Sequence, residues 1–136
     1  MITIIQVSPE SLENVKQAME KLIVQLNYEP SKPRIFLKPN IVDALAPKLA
    51  VDVDPIVCAG LILALKDKFD IEEFVIGENS GYFSEKPENF QSLIETSGYE
   101  EMVENLKEKY SVPLRFTLAS TKAFIKVSIA KKCALF

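Results

Sequence analysis

The sequence contains no histidine among its 136 residues. A Ser-His-Asp triad and a Cys-His nucleophile both need an imidazole as their base, so neither can be assembled within this chain. Zinc sites built from histidine and cysteine are excluded for the same reason. The absence of one residue type therefore removes two large classes of active site.

Cysteine and glycine are also scarce, with two and four residues respectively. Cys58 and Cys133 are far apart and lack metal-like spacing, which predicts neither a disulfide framework nor a cysteine metal site. Cys58 lies in an apolar run and is predicted to be buried in the core, whereas Cys133 follows two lysines and should react first with a thiol reagent. The glycines match neither the P-loop nor the dinucleotide fingerprint.

Long hydrophobic runs and excess basic charge are missing as well. The longest apolar run, residues 56–65, is too short to cross a bilayer, and no signal-peptide pattern is found. The net charge of −3 argues against nucleic-acid binding, which needs a clustered basic face. We therefore expect a cytoplasmic protein with no nucleic-acid or membrane partner.

The order of predicted elements indicates an α/β protein. Helix starts are predicted at Ser8-Pro9 and Asp54-Pro55 from N-cap and first-position preferences, and further helices over residues 88–94 and 100–109. Strands are predicted over residues 2–7, 34–38, 74–76, 114–118 and 124–129. This alternation predicts a single domain over residues 1–136, a three-layer sandwich with a mostly parallel sheet of about four to five strands and helices on both faces.

Three local patterns refine this prediction. The continuous apolar run at residues 35–37 predicts a strand covered on both faces. Residues 56–65 are apolar all round, which predicts a deeply packed helix. Gly98 is predicted to be a helix C-cap.

A candidate site follows from the polar residues after the second and third of the strands in this α/β pattern. Lys38-Pro39-Asn40 opens a long connection that reaches to Asp54, and connections of that length usually serve a site or a lid. Because ligands bind beyond the carboxyl ends of parallel strands, and those ends share one edge, the two loops are predicted to converge. The predicted ligand-binding residues are Lys38, Asn40, Glu78, Asn79, Ser80 and Gly81.

Each of these residues has a predicted role and a plainer alternative. Lys38 would supply positive charge, Asn40 and Asn79 would orient a ligand, and Glu78 would act in acid–base chemistry or hold a metal. In the plainer alternative, Lys38 is a solvated strand end and Asn40 is a turn residue stabilised by its own side chain. The loop bounded by Gly77 and Gly81 is then only a polar turn. Glu78 and Asp43 offer oxygen ligands of the kind that magnesium prefers, but no spacing demands it, so we predict no metal site and name no cofactor.

Four segments of the chain resemble a known family. "FLKPNIV", "VDVDPIVCAGLILAL", "EEFVIGENSG" and "ETSGYEEM" occur in the order typical of the family called domain of unknown function 362. The resemblance covers roughly residues 34–103 and implies an α/β fold with a site at Lys-Pro-Asn and at the glycine-bounded loop. Members of that family are often described as iron–sulfur proteins because many carry a ferredoxin-like cluster segment, and their activity is largely undefined.

The chain departs from the family pattern in its second half. Family members usually continue further, with another strand and a lysine-containing motif near a histidine, and this chain has no cluster cysteines. We therefore expect a short member, or the amino-terminal half of the family domain. An uncovered strand at residues 124–129 and the apolar end Leu135-Phe136 predict pairing with a second copy, a homodimer.

Three functional hypotheses remain open from the sequence. The first is an uncharacterised family-362-like domain that binds a small anionic ligand or cofactor at the carboxyl ends of its strands. The second is a non-catalytic interaction half-domain that pairs with itself or with a second protein. The third is a redox protein that depends on an iron–sulfur partner. Whether the chain is an enzyme is not decided by any of these patterns.

Overall fold

The structure is a computed structural model that describes residues 4–7, 11–41, 47, 52–78 and 87–118. The predicted strand at residues 124–129, the end Leu135-Phe136 and Cys133 lie outside the described residues, as do Asp43, Asn79, Ser80 and Gly81. Along the chain the elements are α1 (Leu12–Gln25), β1 (Arg34–Leu37), α2 (Pro55–Lys68), β2 (Glu73–Glu78), α3 (Pro87–Thr96), α4 (Tyr99–Tyr110) and β3 (Leu114–Leu118).

The strands form a parallel three-stranded sheet in the order β1-β2-β3. Helix α2 connects β1 to β2, and α3 with α4 connects β2 to β3. Right-handed connections between strands in sequential order place their helices on the same face of the sheet, and α2 does contact α4. The chain is thus an α/β protein with a small parallel sheet, while a three-layer sandwich and further strands remain predictions.

The two faces of the sheet differ in burial. Ile35, Phe74 and Leu114 are in register across the three strands and pack into the core. On the opposite face Phe36 is 43% exposed, and Arg34 of β1 donates hydrogen bonds to Glu73 of β2. The prediction that β1 is covered on both faces is therefore wrong. On this second face Arg34 and Phe36 of β1 are exposed, whereas Val75 of β2, the register partner of Phe36, is 7% exposed.

Helix α2 confirms its predicted start and its burial. The Asp54 side chain accepts a hydrogen bond from the Ile56 N–H at 2.9 Å, and Pro55 occupies the first helical turn. Residues on every side of the helix are buried: Pro55, Cys58, Ala59, Gly60, Ile62, Leu63, Ala64 and Leu65. Cys58 is a free, buried cysteine, as predicted.

Helix α1 begins later than predicted. Its N-cap is Ser11, whose side chain accepts a hydrogen bond from the Asn14 N–H at 3.2 Å, rather than Ser8. Ser8 itself lies outside the described residues. Residues 4–7, the described part of the predicted first strand, form no strand, and Ile4 is 88% exposed. A β-branched run becomes a strand only where a neighbouring strand pairs with it.

The turn between α3 and α4 confirms the prediction for Gly98. Gly98 has φ of +77°, a left-handed conformation that glycine adopts without steric cost. Its N–H donates to the Glu95 carbonyl at 3.1 Å, which ends α3, and its carbonyl accepts from the Met102 N–H in the first turn of α4. This tight turn places Tyr99, which is fully buried, at the start of α4.

Candidate functional site

Strand β2 continues further than the sequence predicted and ends on a buried carboxylate. Gly77 lies within the strand, and Glu78 pairs with Leu118 of β3. Because side chains alternate along a strand, Glu78 shares the core-facing side with Phe74 and Ile76. Glu78 is 2% exposed, so the core face of the central strand ends in an acidic group.

Two donors from the end of β1 meet the Glu78 carboxylate. Lys38 Nζ donates to Oε1 at 2.6 Å, and the Ile41 N–H donates to Oε2 at 3.3 Å. A buried charge of this kind must be paired, and removing the partner of a fully buried pair costs about 3–5 kcal/mol. The Lys38 side chain is 47% exposed, so one half of this pair is buried and the other half faces solvent.

The long connection after β1 is closed at its neck. We define the neck as Asn40, Ile41 and Val53. The Val53 N–H donates to the Asn40 carbonyl at 3.0 Å, and Tyr99 Oη donates to the Val53 carbonyl at 2.8 Å. Ile41 is 2% exposed. Loops whose two ends lie close together are frequently functional, and here the ends meet beside Glu78.

Tyr99 joins the neck to the core. Its ring packs edge-to-face against Phe116 with centroids 5.9 Å apart, and its hydroxyl lies 3.5 Å from the Cys58 thiol. Burial raises the pKa of Tyr99 far above its usual range. Burial also raises the pKa of Cys58, against the opposing effect of its hydrogen bond with Tyr99. Both groups are therefore neutral at physiological pH and act as packing and hydrogen-bonding groups.

The structure brings together two of the predicted site residues. Lys38 and Glu78 are in direct contact. Asn40 is exposed, and its main-chain carbonyl belongs to the neck. Convergence of the two loops as far as Asn79 stays a prediction, since Asn79, Ser80 and Gly81 are outside the described part of the chain.

The predicted site included neither Ile41 nor Tyr99. Ile41 contributes a main-chain N–H. Because this donor does not depend on the side chain, the residue type at position 41 does not predict it. Tyr99 follows Gly98 at the start of a predicted helix, where an aromatic residue indicates core packing. A buried tyrosine usually finds a partner for its hydroxyl, but the sequence does not show that the partner is Val53.

The described ranges contain neither a metal-binding cluster nor a membrane-spanning helix. Within them, no group of three or more histidine, cysteine, aspartate or glutamate residues is arranged to hold a metal ion. No helix of that part of the chain has the length and apolar character needed to cross a membrane.

Comparisons of the chain with protein-family models, with curated proteins and with solved structures find no match. The candidate site is therefore defined by its geometry alone. A buried carboxylate at the carboxyl end of the central strand holds a half-exposed ammonium group, next to the closed neck of a long connection.

Proposed function

We propose that this chain is an α/β domain, similar to the amino-terminal half of family 362, that binds a small anionic ligand or cofactor at the carboxyl ends of β1 and β2. The observation that carries the proposal is the Lys38 ammonium, which is held by Glu78 at 2.6 Å and is 47% exposed. The other proposed ligand-binding residues are Asn40, Asn79, Ser80 and Gly81, and Glu78 belongs to the site as the partner of Lys38.

The charge and exposure of the pair favour Lys38 as the group that meets a ligand. An ammonium group has three donors, and the bond to Glu78 uses one of them. A free lysine loses rotamer entropy when it binds, and holding it in place beforehand reduces that cost. Glu78 is too deeply buried to approach a ligand directly. We therefore propose that Lys38 supplies the charge contact and that Glu78 balances its charge.

The test is a titration of ¹⁵N-labelled protein with inorganic phosphate, pyrophosphate and citrate, followed by the amide signals of Lys38, Asn40 and Ile41. Because a hydrogen bond to a charged group contributes about 1.5–3 kcal/mol, Lys38→Met should weaken binding by about tenfold or more. The matched control is Lys107→Met, on an exposed residue near the end of α4, which leads to the amino end of β3.

Two results would contradict the proposal. One is that none of the three anions shifts the signals at the end of β1. The other is that Lys38→Met and Lys107→Met reduce binding equally, which would indicate nonspecific attraction to surface cations. Salt dependence provides a further check, since an anion held by an exposed ammonium should bind more weakly as ionic strength rises.

A second candidate function, an interaction half-domain, is favoured by exposed side chains on the face of the sheet opposite the core. Phe36 is 43% exposed on β1, and the neighbouring side chains Arg34 and Arg115 are 64% and 52% exposed. An exposed aromatic residue flanked by arginines is typical of a protein-binding surface. We propose that a second copy of this chain or another protein covers this face.

Sedimentation velocity at micromolar concentration tests the self-association arm of this candidate. Phe36→Ser should shift a dimer towards monomer. Tyr110→Ser is the matched control, because Tyr110 is 42% exposed on α4, away from that face. A wild-type protein that is monomeric throughout, or a dimer unaffected by Phe36→Ser, would refute this interface between copies.

A further inference from the structure

We propose that Glu78 is a positioning residue that couples Lys38 to the neck, so that an anion bound at Lys38 stabilises the closed ends of the connection. The part of this proposal that concerns an anion rests on the proposed function. The coupling between Lys38 and the neck does not, and it can be measured in the protein without a ligand.

The first step of the coupling is that the two oxygens of Glu78 accept hydrogen bonds from different donors. Oε1 accepts from Lys38 and Oε2 accepts from the Ile41 N–H. With 2% of its surface exposed, the carboxylate cannot turn to water when either partner withdraws. A change at Lys38 therefore alters the position of the group that holds Ile41.

The second step is the peptide unit between Asn40 and Ile41. Its N–H donates to Glu78, and its carbonyl accepts from the Val53 N–H at 3.0 Å. A peptide group is planar, so a rotation that loosens one of these bonds also moves the other. Hydrogen bonds in such a chain also polarise and strengthen one another. The path from Lys38 to Val53 is thus continuous through Glu78 and one peptide unit.

The third step is the effect of a ligand on this path. An anion that contacts Lys38 restrains the ammonium group, which restrains Glu78 and the peptide unit beyond it. Binding that orders one group lowers the cost of ordering the next. By reciprocity, a more stable neck would in turn raise the affinity of Lys38 for the anion.

The ligand-free experiment is a double-mutant cycle read by amide hydrogen exchange at Ile41 and Val53. Lys38→Met should speed exchange at both amides by about tenfold, in keeping with the strength of hydrogen bonds to charged groups. Glu78→Gln keeps the shape but leaves one acceptor oxygen instead of two, so it should also speed exchange. In the Glu78→Gln background, Lys38→Met should add no more than about twofold, since coupled residues are not additive.

Two controls separate coupling from general destabilisation. Glu73→Gln is the same substitution on the same strand, and it weakens contacts to Arg34 and Arg115 instead, so exchange at the neck should not change. Lys38→Arg keeps a cation beside Glu78 and should restore slow exchange. Rates at Ile62 in the buried middle of α2 report global opening and are used to correct the others.

The outcomes distinguish this proposal from the proposed function. If Lys38→Met leaves exchange at Ile41 and Val53 unchanged, or if Lys38→Arg does not restore it, the coupling is refuted. Inorganic phosphate provides the ligand arm and should slow exchange at both amides by about threefold or more. Phosphate that binds at Lys38 without slowing exchange refutes the ligand part. Absence of phosphate binding argues against the proposed function, while the cycle still decides the coupling.

Discussion

Gly60 allows a close approach between α2 and α1, and Gly60→Ala has a well-defined steric consequence. A Cβ at position 60 would lie 2.6 Å from Val15 Cγ1, 3.0 Å from the Lys16 nitrogen and 3.1 Å from the Val15 carbonyl carbon. The first contact is with a side chain, but the other two are with the backbone of α1. Relief therefore requires α1 to move away from α2.

The magnitude comes from two opposing effects. Adding a methyl group to a well-packed interface costs about 1–3 kcal/mol, and the backbone contacts point to the upper part of that range. Replacing glycine by alanine inside a helix contributes about 1 kcal/mol in the other direction. We therefore expect Gly60→Ala to lower the free energy of unfolding by about 1–2 kcal/mol, which lowers Tm by roughly 5 °C for a chain of this size.

Urea unfolding followed by circular dichroism measures this change, with the slope m expected to stay constant. Val15→Ala removes the 2.6 Å contact, so Gly60→Ala should be less destabilising by about 1 kcal/mol in the Val15→Ala background than in the wild type. A Gly60→Ala protein more stable than the wild type would show that helix propensity outweighs packing here. Strict additivity with Val15→Ala would refute the assigned contact.

Three further predictions concern titration, thiol reactivity and the neck. Hydrogen bonds from Arg115, the larger effect, and from Arg34 lower the pKa of Glu73. The ionised Glu73 side chain therefore stabilises the fold fully above the pKa of the unfolded state. This stabilisation is lost as the pH falls through the lower pKa of the folded state. The stability difference between wild type and Glu73→Gln should therefore shrink below about pH 4.3, and a difference that is constant from pH 7 to pH 3 would contradict this. In a Cys133→Ser protein, Cys58 should react with a thiol reagent at least about a hundredfold more slowly in the native state than in urea. The reason is that burial raises the pKa of Cys58 and limits access of the reagent. Equal rates would show that Cys58 is accessible in the native protein. Tyr99→Phe removes the donor to the Val53 carbonyl and should destabilise the protein by about 1–2 kcal/mol in urea unfolding, whereas an unchanged midpoint would show that water replaces the hydroxyl.

The helices and strands that were predicted well are those whose ends are determined by neighbouring residues in the sequence. Asp54-Pro55 satisfies a helix start within three residues, and α2 begins there. Gly98 ends α3 because only its own conformation is required. Strand β3 has the predicted limits, and α3 and α4 differ from theirs by one or two residues. Capping and turn chemistry depend on adjacent residues, so the sequence contains nearly all of the information.

Predictions failed where the outcome depends on a distant partner. Ser8 and Ser11 are equally good N-cap residues by type, and the structure places the cap at Ser11. The apolar run of β1 predicted two buried faces, but Phe36 is exposed because burial depends on what packs against the sheet. Strand β2 continues through Gly77 because β3 pairs with it, which no pattern within residues 74–78 reveals.

The candidate site shows the same division. The alternation of strands and helices was enough to place Lys38 and Glu78 at neighbouring strand ends, because parallel strands share one carboxyl edge. Only the tertiary structure decided that the Glu78 side chain points into the core, that Lys38 remains half exposed, and that the Ile41 N–H donates to the carboxylate. Burial depends on elements far apart in the chain, and every residue other than proline has the same main-chain N–H donor. The sequence of the loop therefore predicts neither the burial nor the main-chain contact.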